Sequence, residues 1–350
     1  MNKDILRRPW RRYLASAVLS LFFLFSMWAL DSRETVSTTL SENHVGLYAN
    51  QLNDDLTQLF SSAINEAKDS VLLVVYSFTD KEIIRSIKNK SDQGVPIKVI
   101  CDAKASPYID SKLGSKVNVT RRFGPGLMHQ KILVIDRQKI WIGSANMTAE
   151  SLRLHGNLVC SIDSAFLAEE IIAKADTLHV EGHSTPQFKQ IVNIGQQPIE
   201  MWFLPDNKNG ALRLKSLLRA AKKTVRVAMF TWTRYDLAKE VIAAARRGVD
   251  TEVVIDHYSG KGSSKHVVEM LHTQGVNVRL SRGGPLLHHK FLYIDEAILV
   301  NGSANWTKAA FTQNDDCFIV MHGLTLEQNK KMHALWDVIW AEAEDARLNP

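Results

Sequence analysis

One stretch of nineteen residues constrains this chain more than any other, because it occurs twice. Met128 to Asn146 reads MHQKILVIDRQKIWIGSAN, and Leu287 to Asn305 reads LHHKFLYIDEAILVNGSAN. In each copy a His is followed by a Lys two residues on, an Asp seven on, and the Asn of Gly-Ser-Ala-Asn seventeen on. The sets are His129, Lys131, Asp136, Asn146 and His288, Lys290, Asp295, Asn305.

The spacing carries geometry. Ile132 to Ile135 and Phe291 to Ile294 are short β-branched and aromatic runs that read as strands. Residues two apart share a face of a strand, so His and Lys point together while the Asp, at an odd offset, points away. With Arg137-Gln138 and Glu296-Ala297 as two-residue hairpin loops, Lys131 faces Ser144 and His129 faces Asn146, and Lys290 and His288 face Ser303 and Asn305. Two such hairpins face to face bring together two imidazoles and two ammoniums. That set suits phosphodiester chemistry. One neutral His can attack phosphorus, the other can serve as acid and then base, and the Lys and Asn side chains can bind the phosphoryl oxygens.

At these residues the chain resembles the phospholipase D superfamily, whose signature is HxKxxxxD followed by GSxN. Both copies match at every signature position, and the resemblance runs from about Val45 to Glu344. It implies a phosphohistidine intermediate, no metal or other cofactor, and a structural role for Asp136 and Asp295. It also implies an Asn-x-acid element after the second motif, whose carboxylate orients a catalytic His, and Asp316 in Asn314-Asp315-Asp316 fits it. The first repeat departs, with Asn157-Leu158-Val159, and Asp163 is a poor substitute. Family usage implies His129 as nucleophile and His288 as general acid.

The surrounding sequence is also duplicated. Val225 to Trp232 matches Val71 to Phe78, and Glu252 to Asp256 matches Lys98 to Asp102, both at an offset of 154 that grows to 159 at the motifs. Alternating strands and helices in each copy predict an α/β fold: two similar mixed sheets flanked by helices and packed about a pseudo-two-fold axis. Units of this size are domains, not short stacking repeats. We place repeat 1 at 44–180, a Gly- and Pro-containing join at 181–197, and repeat 2 at 198–350. Cys101, Cys160 and Cys317 lie in apolar runs with no CxxC spacing and read as buried thiols.

Residues 1–12 carry five basic residues against one acidic, and an uncharged run follows from Tyr13 to Leu30. This segment, 1–30, reads as an uncleaved anchor with its basic flank in the cytoplasm and the catalytic part outside it; a cleaved signal and secretion are the rival. Residues 31–43 are a polar linker. The remaining 38 basic and 36 acidic residues nearly balance, so the overall basicity is no argument for nucleic acid.

Arg121, Arg122 and Arg282 precede the two motif strands and are candidates for a second phosphate or a headgroup. His289 is turned away by strand alternation, and Phe78 and Trp232 read as core. The anchor and the apolar Leu127, Met128, Leu286 and Leu287 beside the motif histidines favour a phospholipid at a membrane as substrate, cleaved to phosphatidate and free headgroup. A metal-independent nuclease acting on nucleic acid, a phosphatidyltransferase such as a cardiolipin or phosphatidylserine synthase, and an inactive binding protein are the alternatives. No obligate protein partner is evident.

Overall fold

Among the described residues, the long apolar runs become strands buried on both faces, and the helices between them carry one apolar stripe each. The computed structural model describes residues 45–178 and 191–346, all within one compact unit, 40–350. The expected anchor (1–30), the linker (31–43) and most of the inter-repeat join lie outside the described residues. Among the described residues no helix is long and apolar enough to cross a membrane.

The first sheet holds β1 (Val45–Ala49), β2 (Val71–Val75), β3 (Ile97–Asp102), β4 (Asn118–Arg122), β5 (Lys131–Ile135), β6 (Lys139–Gly143) and β7 (Leu158–Asp163), in the order β1-β7-β6-β5-β2-β3-β4. The second holds β8 (Ile191–Ile194), β9 (Gln197–Leu204), β10 (Thr224–Met229), β11 (Asp250–Ile255), β12 (Asn277–Ser281), β13 (Lys290–Ile294), β14 (Ile298–Gly302), β15 (Asp316–His322) and β16 (Ala343–Asp345), in the order β16-β12-β11-β10-β13-β14-β15-β9-β8. Both are mixed. β2, β3 and β4 run parallel, as do β10, β11 and β12, while the motif hairpins β5-β6 and β13-β14 are antiparallel. The order from β2 to β7 thus recurs from β10 to β15.

The inner faces of the two sheets share one core. Ile132 and Val134 of β5 and Phe291 and Tyr293 of β13 pack there with the helices Ala165–Thr177 and Leu326–Ala341. Alternate residues of the same strands, Leu133 and Leu292, face outward into separate cores under the outer helices. Phe78 and Trp232 are fully buried in those outer cores, as expected. The three cysteines are free and buried.

The hairpin register differs from expectation by one residue. Ile135 pairs with Lys139 and Ile294 with Ile298, so three residues, Asp136–Gln138 and Asp295–Ala297, lie between the paired ends. The turn is made by Asp136-Arg137 and Asp295-Glu296, all at positive φ near 55°. Left-handed backbone is costly for such residues, and the motif carboxylate offsets it. Asp136 accepts the N–H groups of Lys68, Asp69 and Ser70, and Asp295 those of Lys222, Lys223 and Thr224. A one-residue slip turns side chains to the other face, so Ser144 and Ser303 do not stand beside the lysines on a shared ligand. They serve elsewhere.

Candidate active site

The site forms at the strand ends, on the seam between the two sheets. β2 to β4 finish where β5 begins, and β10 to β12 finish where β13 begins. Short cross-repeat bridges join these ends. His129 N–H donates to the Asp315 carbonyl at 2.8 Å, and Gly156 N–H donates to the Leu286 carbonyl at 2.8 Å. His129 itself, and the residue two before His288, are therefore pinned by backbone of the other repeat.

The side-chain support crosses over in the same way. His129 Nδ1 donates to Asp316 Oδ1 at 2.8 Å, and Ser303 Oγ donates to that same oxygen at 2.7 Å. His288 Nδ1 donates to Asn157 Oδ1 at 3.0 Å, and Ser144 Oγ donates to that oxygen at 2.8 Å. The Ser of each Gly-Ser-Ala-Asn thus fixes the group that orients the other repeat's His. The preceding glycines make this possible. A Cβ on Gly143 would stand 2.2 Å from the Leu158 carbonyl, and one on Gly302 would stand 2.4 Å from the Cys317 carbonyl. With both Nδ1 atoms donating inward, each imidazole has only Nε2 left for the reacting centre.

The amide orientation at Asn157 follows from its surroundings. Its Nδ2 donates to the Ser151 carbonyl at 2.8 Å and to the His155 carbonyl at 3.2 Å, which leaves Oδ1 for His288. Asp163, weighed as a substitute orienter, lies at the far end of β7 and accepts from Gln138.

The lysines lie under the histidines. Lys131 Nζ donates to the His129 carbonyl at 2.5 Å and Lys290 Nζ to the His288 carbonyl at 2.6 Å, each over an aromatic ring, Tyr76 or Phe230. Those rings also pack on the imidazoles, 5.1 Å from His129 and 4.9 Å from His288. Of the two motif asparagines, Asn305 Oδ1 accepts from Thr231 N–H at 3.3 Å, while Asn146 Oδ1 is buried with no hydrogen-bond partner.

The four basic groups are almost entirely buried. Burial pulls Lys131 down to about 7, against the attraction of Asp316. Lys290 falls well below the lysine range through burial and then Lys131. Burial followed by Lys131 lowers His129, which Asp316 partly restores; burial, Lys290 and Lys131 take His288 well below its ordinary value. Burial works to raise Asp316, but His129, with Lys131 and the Ser303 hydroxyl, outweighs it and keeps the carboxyl low. A site of crowded, desolvated cation-forming groups favours an anion, which would restore every one of these charges.

The three candidate arginines have different fates. Arg122 Nε lies 2.9 Å from the buried Asp315 carboxylate and its Nη1 donates to the Gly126 carbonyl, so it braces the two repeats. Arg121 lies over the exposed Phe123 ring, and Arg282 is exposed, 3.7 Å from Glu344. His289 does point away, with Nε2 on Gln51 Oε1 at 2.6 Å. The sequence reading passed over Asn157 as a partner, the Tyr76 and Phe230 rings, and His155, whose ring is 6.2 Å from His288. The signal for Asn157 was present: it precedes Asp316 by 159, the offset between the two histidines.

Known proteins share this organisation. The family model described as cardiolipin synthase, PLD-like domain, matches residues 60–178 and 214–340. A mitochondrial cardiolipin hydrolase of Xenopus laevis is 28% identical over 147 residues, 42% of this chain and 68% of its own length. The human mitochondrial cardiolipin hydrolase is 30% identical over 118 residues, 33% of this chain and 46% of its own. A cardiolipin synthase of Listeria welshimeri is 26% identical over 305 residues, 72% of this chain and 60% of its own. The chain therefore spans less than two thirds of the human and Listeria proteins. The phosphatidylserine synthase of Haemophilus influenzae Rd KW20 has the same fold, with a TM-score of 0.68 and 13% identity over 87% of this chain and 88% of that one.

Proposed function

Because the chain belongs to the phospholipase D superfamily, we propose that it cleaves a glycerophospholipid on the headgroup side of the phosphodiester, through a phosphohistidine on His129. The observation that carries the assignment is the unequal support of the two imidazoles. His129 donates to a carboxylate, which raises the basicity of its Nε2, as a nucleophile requires. His288 donates to an amide oxygen, which stabilises an imidazolium less and makes it the better acid.

In the first step the Nε2 lone pair of His129 attacks phosphorus, the bond to the headgroup oxygen breaks, and that oxygen takes a proton from His288 Nε2. Lys131, Lys290, Asn146 and Asn305 hold the phosphoryl oxygens as charge develops. In the second step His288 takes a proton from water, the water oxygen attacks phosphorus, and the electron pair of the P–N bond returns to His129. The phosphatidate leaves and both imidazoles are reset. Every proton and charge in the cycle has a named residue.

A second reading, transfer of the phosphatidyl group to an alcohol, uses the same residues with the alcohol in place of water. The family model and the Listeria relative, both described as cardiolipin synthase, support it.

Acid-quenched mass spectrometry of the enzyme on mixed phospholipid vesicles tests the reading, with single-stranded DNA in parallel. His129→Asn should abolish turnover and labelling. His288→Asn should slow turnover about 10²–10⁴-fold and accumulate a phosphatidyl group on His129. A label on His288 reverses the roles. Cleavage of DNA with no headgroup release removes the lipid reading altogether. Added glycerol that diverts product from phosphatidate to a phosphatidyl alcohol would support the transfer reading.

A further inference from the structure

The two ends of the sheets present different surfaces. At the catalytic end, large apolar side chains stand out of the loops: Tyr108 after β3 is 74% exposed, Phe123 after β4 is 65%, Leu154 before Asn157 is 60% and Tyr258 after β11 is 59%. Leu127, two residues before His129, joins them. These loops are tied to the site and to each other. Met128 N–H donates to Asp102 Oδ2 at the start of the Tyr108 loop, and Leu287 N–H donates to Asp256 Oδ2 at the start of the Tyr258 loop, both at 3.1 Å. Exposed cations lie among them: Lys104, Lys261 and Arg282, with Arg121 stacked 5.9 Å from the Phe123 ring. At the opposite end the hairpin tips and turns carry Lys68, Asp69, Arg137, Lys222 and Glu296, and Phe166 and Leu326, each in the first turn of a helix, are exposed there.

Exposed aromatic and aliphatic side chains interleaved with cations are costly in water and well suited to the headgroup layer of an anionic bilayer. The catalytic groups need such a device. They are almost wholly buried, and the diester of a bilayer lipid lies at headgroup depth, so it reaches Nε2 of His129 only if the surrounding loops sink into that layer. We propose that the loops bearing Tyr108, Phe123, Leu127, Leu154 and Tyr258 form an interfacial rim that docks on an anionic lipid surface and seats the catalytic end against it. This rests on the lipid reading above and adds the surface by which the substrate is met.

The full chain carries three cysteines, all buried, so a cysteine introduced at the surface can be labelled selectively with an environment-sensitive fluorophore. Phe123→Cys and Tyr258→Cys place it on the rim, and Phe166→Cys places it at the far end. With phosphatidylglycerol–phosphatidylcholine vesicles the rim labels should shift to the blue and be quenched by brominated lipid, the far-end label should not respond, and pure phosphatidylcholine should give a weaker signal. Phe123→Ser with Tyr258→Ser should cut headgroup release from vesicles about tenfold or more, while cleavage of soluble bis(p-nitrophenyl) phosphate is unchanged. Silent rim labels on vesicles whose headgroups are being released overturn the rim and leave the lipid reading standing. Blue-shifted rim labels without headgroup release support the rim and remove the lipid reading. Rim labels that respond to single-stranded DNA and not to vesicles overturn the proposal in favour of nucleic acid.

Discussion

At the position that reaches across to orient the other repeat's histidine, the first half of the molecule has an amide, Asn157, and the second half a carboxylate, Asp316. The flanking Ser hydroxyls and the hydrogen-bond lengths nearly match, so the difference comes down to one atom. Its cause is local. In the first half that atom faces the carbonyls of Ser151 and His155 and must donate. In the second half it faces Asn314 Nδ2 at 3.5 Å and can accept. On the proposed mechanism, a site assembled from two copies of one hairpin thereby acquires a nucleophile side and an acid side without changing any signature residue.

The sharpest way to break the comparison is to remove the carboxylate. Asp316→Asn keeps the shape of the site and still accepts from His129 Nδ1, but withdraws the charge that sustains the basicity of Nε2. We expect kcat/KM to fall by about 10²–10⁴-fold, with the pre-steady-state formation of the phosphoenzyme slowed more than its breakdown. An unchanged burst rate would mean that the carboxylate only positions the ring, and the assignment of His129 as nucleophile would lose its physical basis.

The signature positions and the two-sheet architecture were legible because each rests on spacing repeated twice, and Asp316 because the family resemblance implies an Asn-x-acid element after the second motif. A pattern that must satisfy two places at once leaves few alternatives. The hairpin register was misread by one residue because Asp136-Arg137 and Asp295-Glu296 lack the Gly or Asn that usually marks a left-handed turn. Their φ values are sustained by backbone N–H groups from 66 to 73 residues away in sequence, and nothing adjacent announces that. The crossing of supports between repeats was hidden for the same reason. Within one repeat, Ser144 reads as the hairpin partner of Lys131 and Asn157 as a departure from the Asn-x-acid element, and only the packing of the sheets places His288 against Asn157. Arg122 shows the reverse: beside a motif strand it reads as a candidate for a phosphate or a headgroup, and its guanidinium lies against Asp315.

A second contrast sits at the residue between His and Lys, Gln130 in the first motif and His289 in the second, both buried. Burial, and then Lys290, holds His289 down to about 3. The native fold therefore keeps it neutral, while the unfolded chain protonates it below about pH 6.5. The sign is that of a depressed group: its contribution to stability is complete above pH 6.5 and is lost progressively as the pH falls towards 3. His289→Gln installs the residue of the first half and removes that proton from the balance. Between pH 7.5 and 5.0 the wild type should lose about 2 kcal/mol more stability than the variant in urea denaturation. Equal losses would mean that His289 takes its proton inside the fold.

The smallest effect is expected from making the halves alike in the other direction. Asn157→Asp places a carboxylate against His288 Nδ1, in the arrangement His129 already has. The pKa of His288 should rise, so the alkaline limb of kcat/KM, which reports loss of the acid's proton, should move to higher pH by about one unit, or about 1.4 kcal/mol. The acid limb, set by protonation of His129, should stay. The stability of the variant should fall, because the second carboxylate oxygen would face the two carbonyls that Asn157 Nδ2 now satisfies. A shift of the acid limb in place of the alkaline one would assign the proton donor to His129 and the phosphoenzyme to His288.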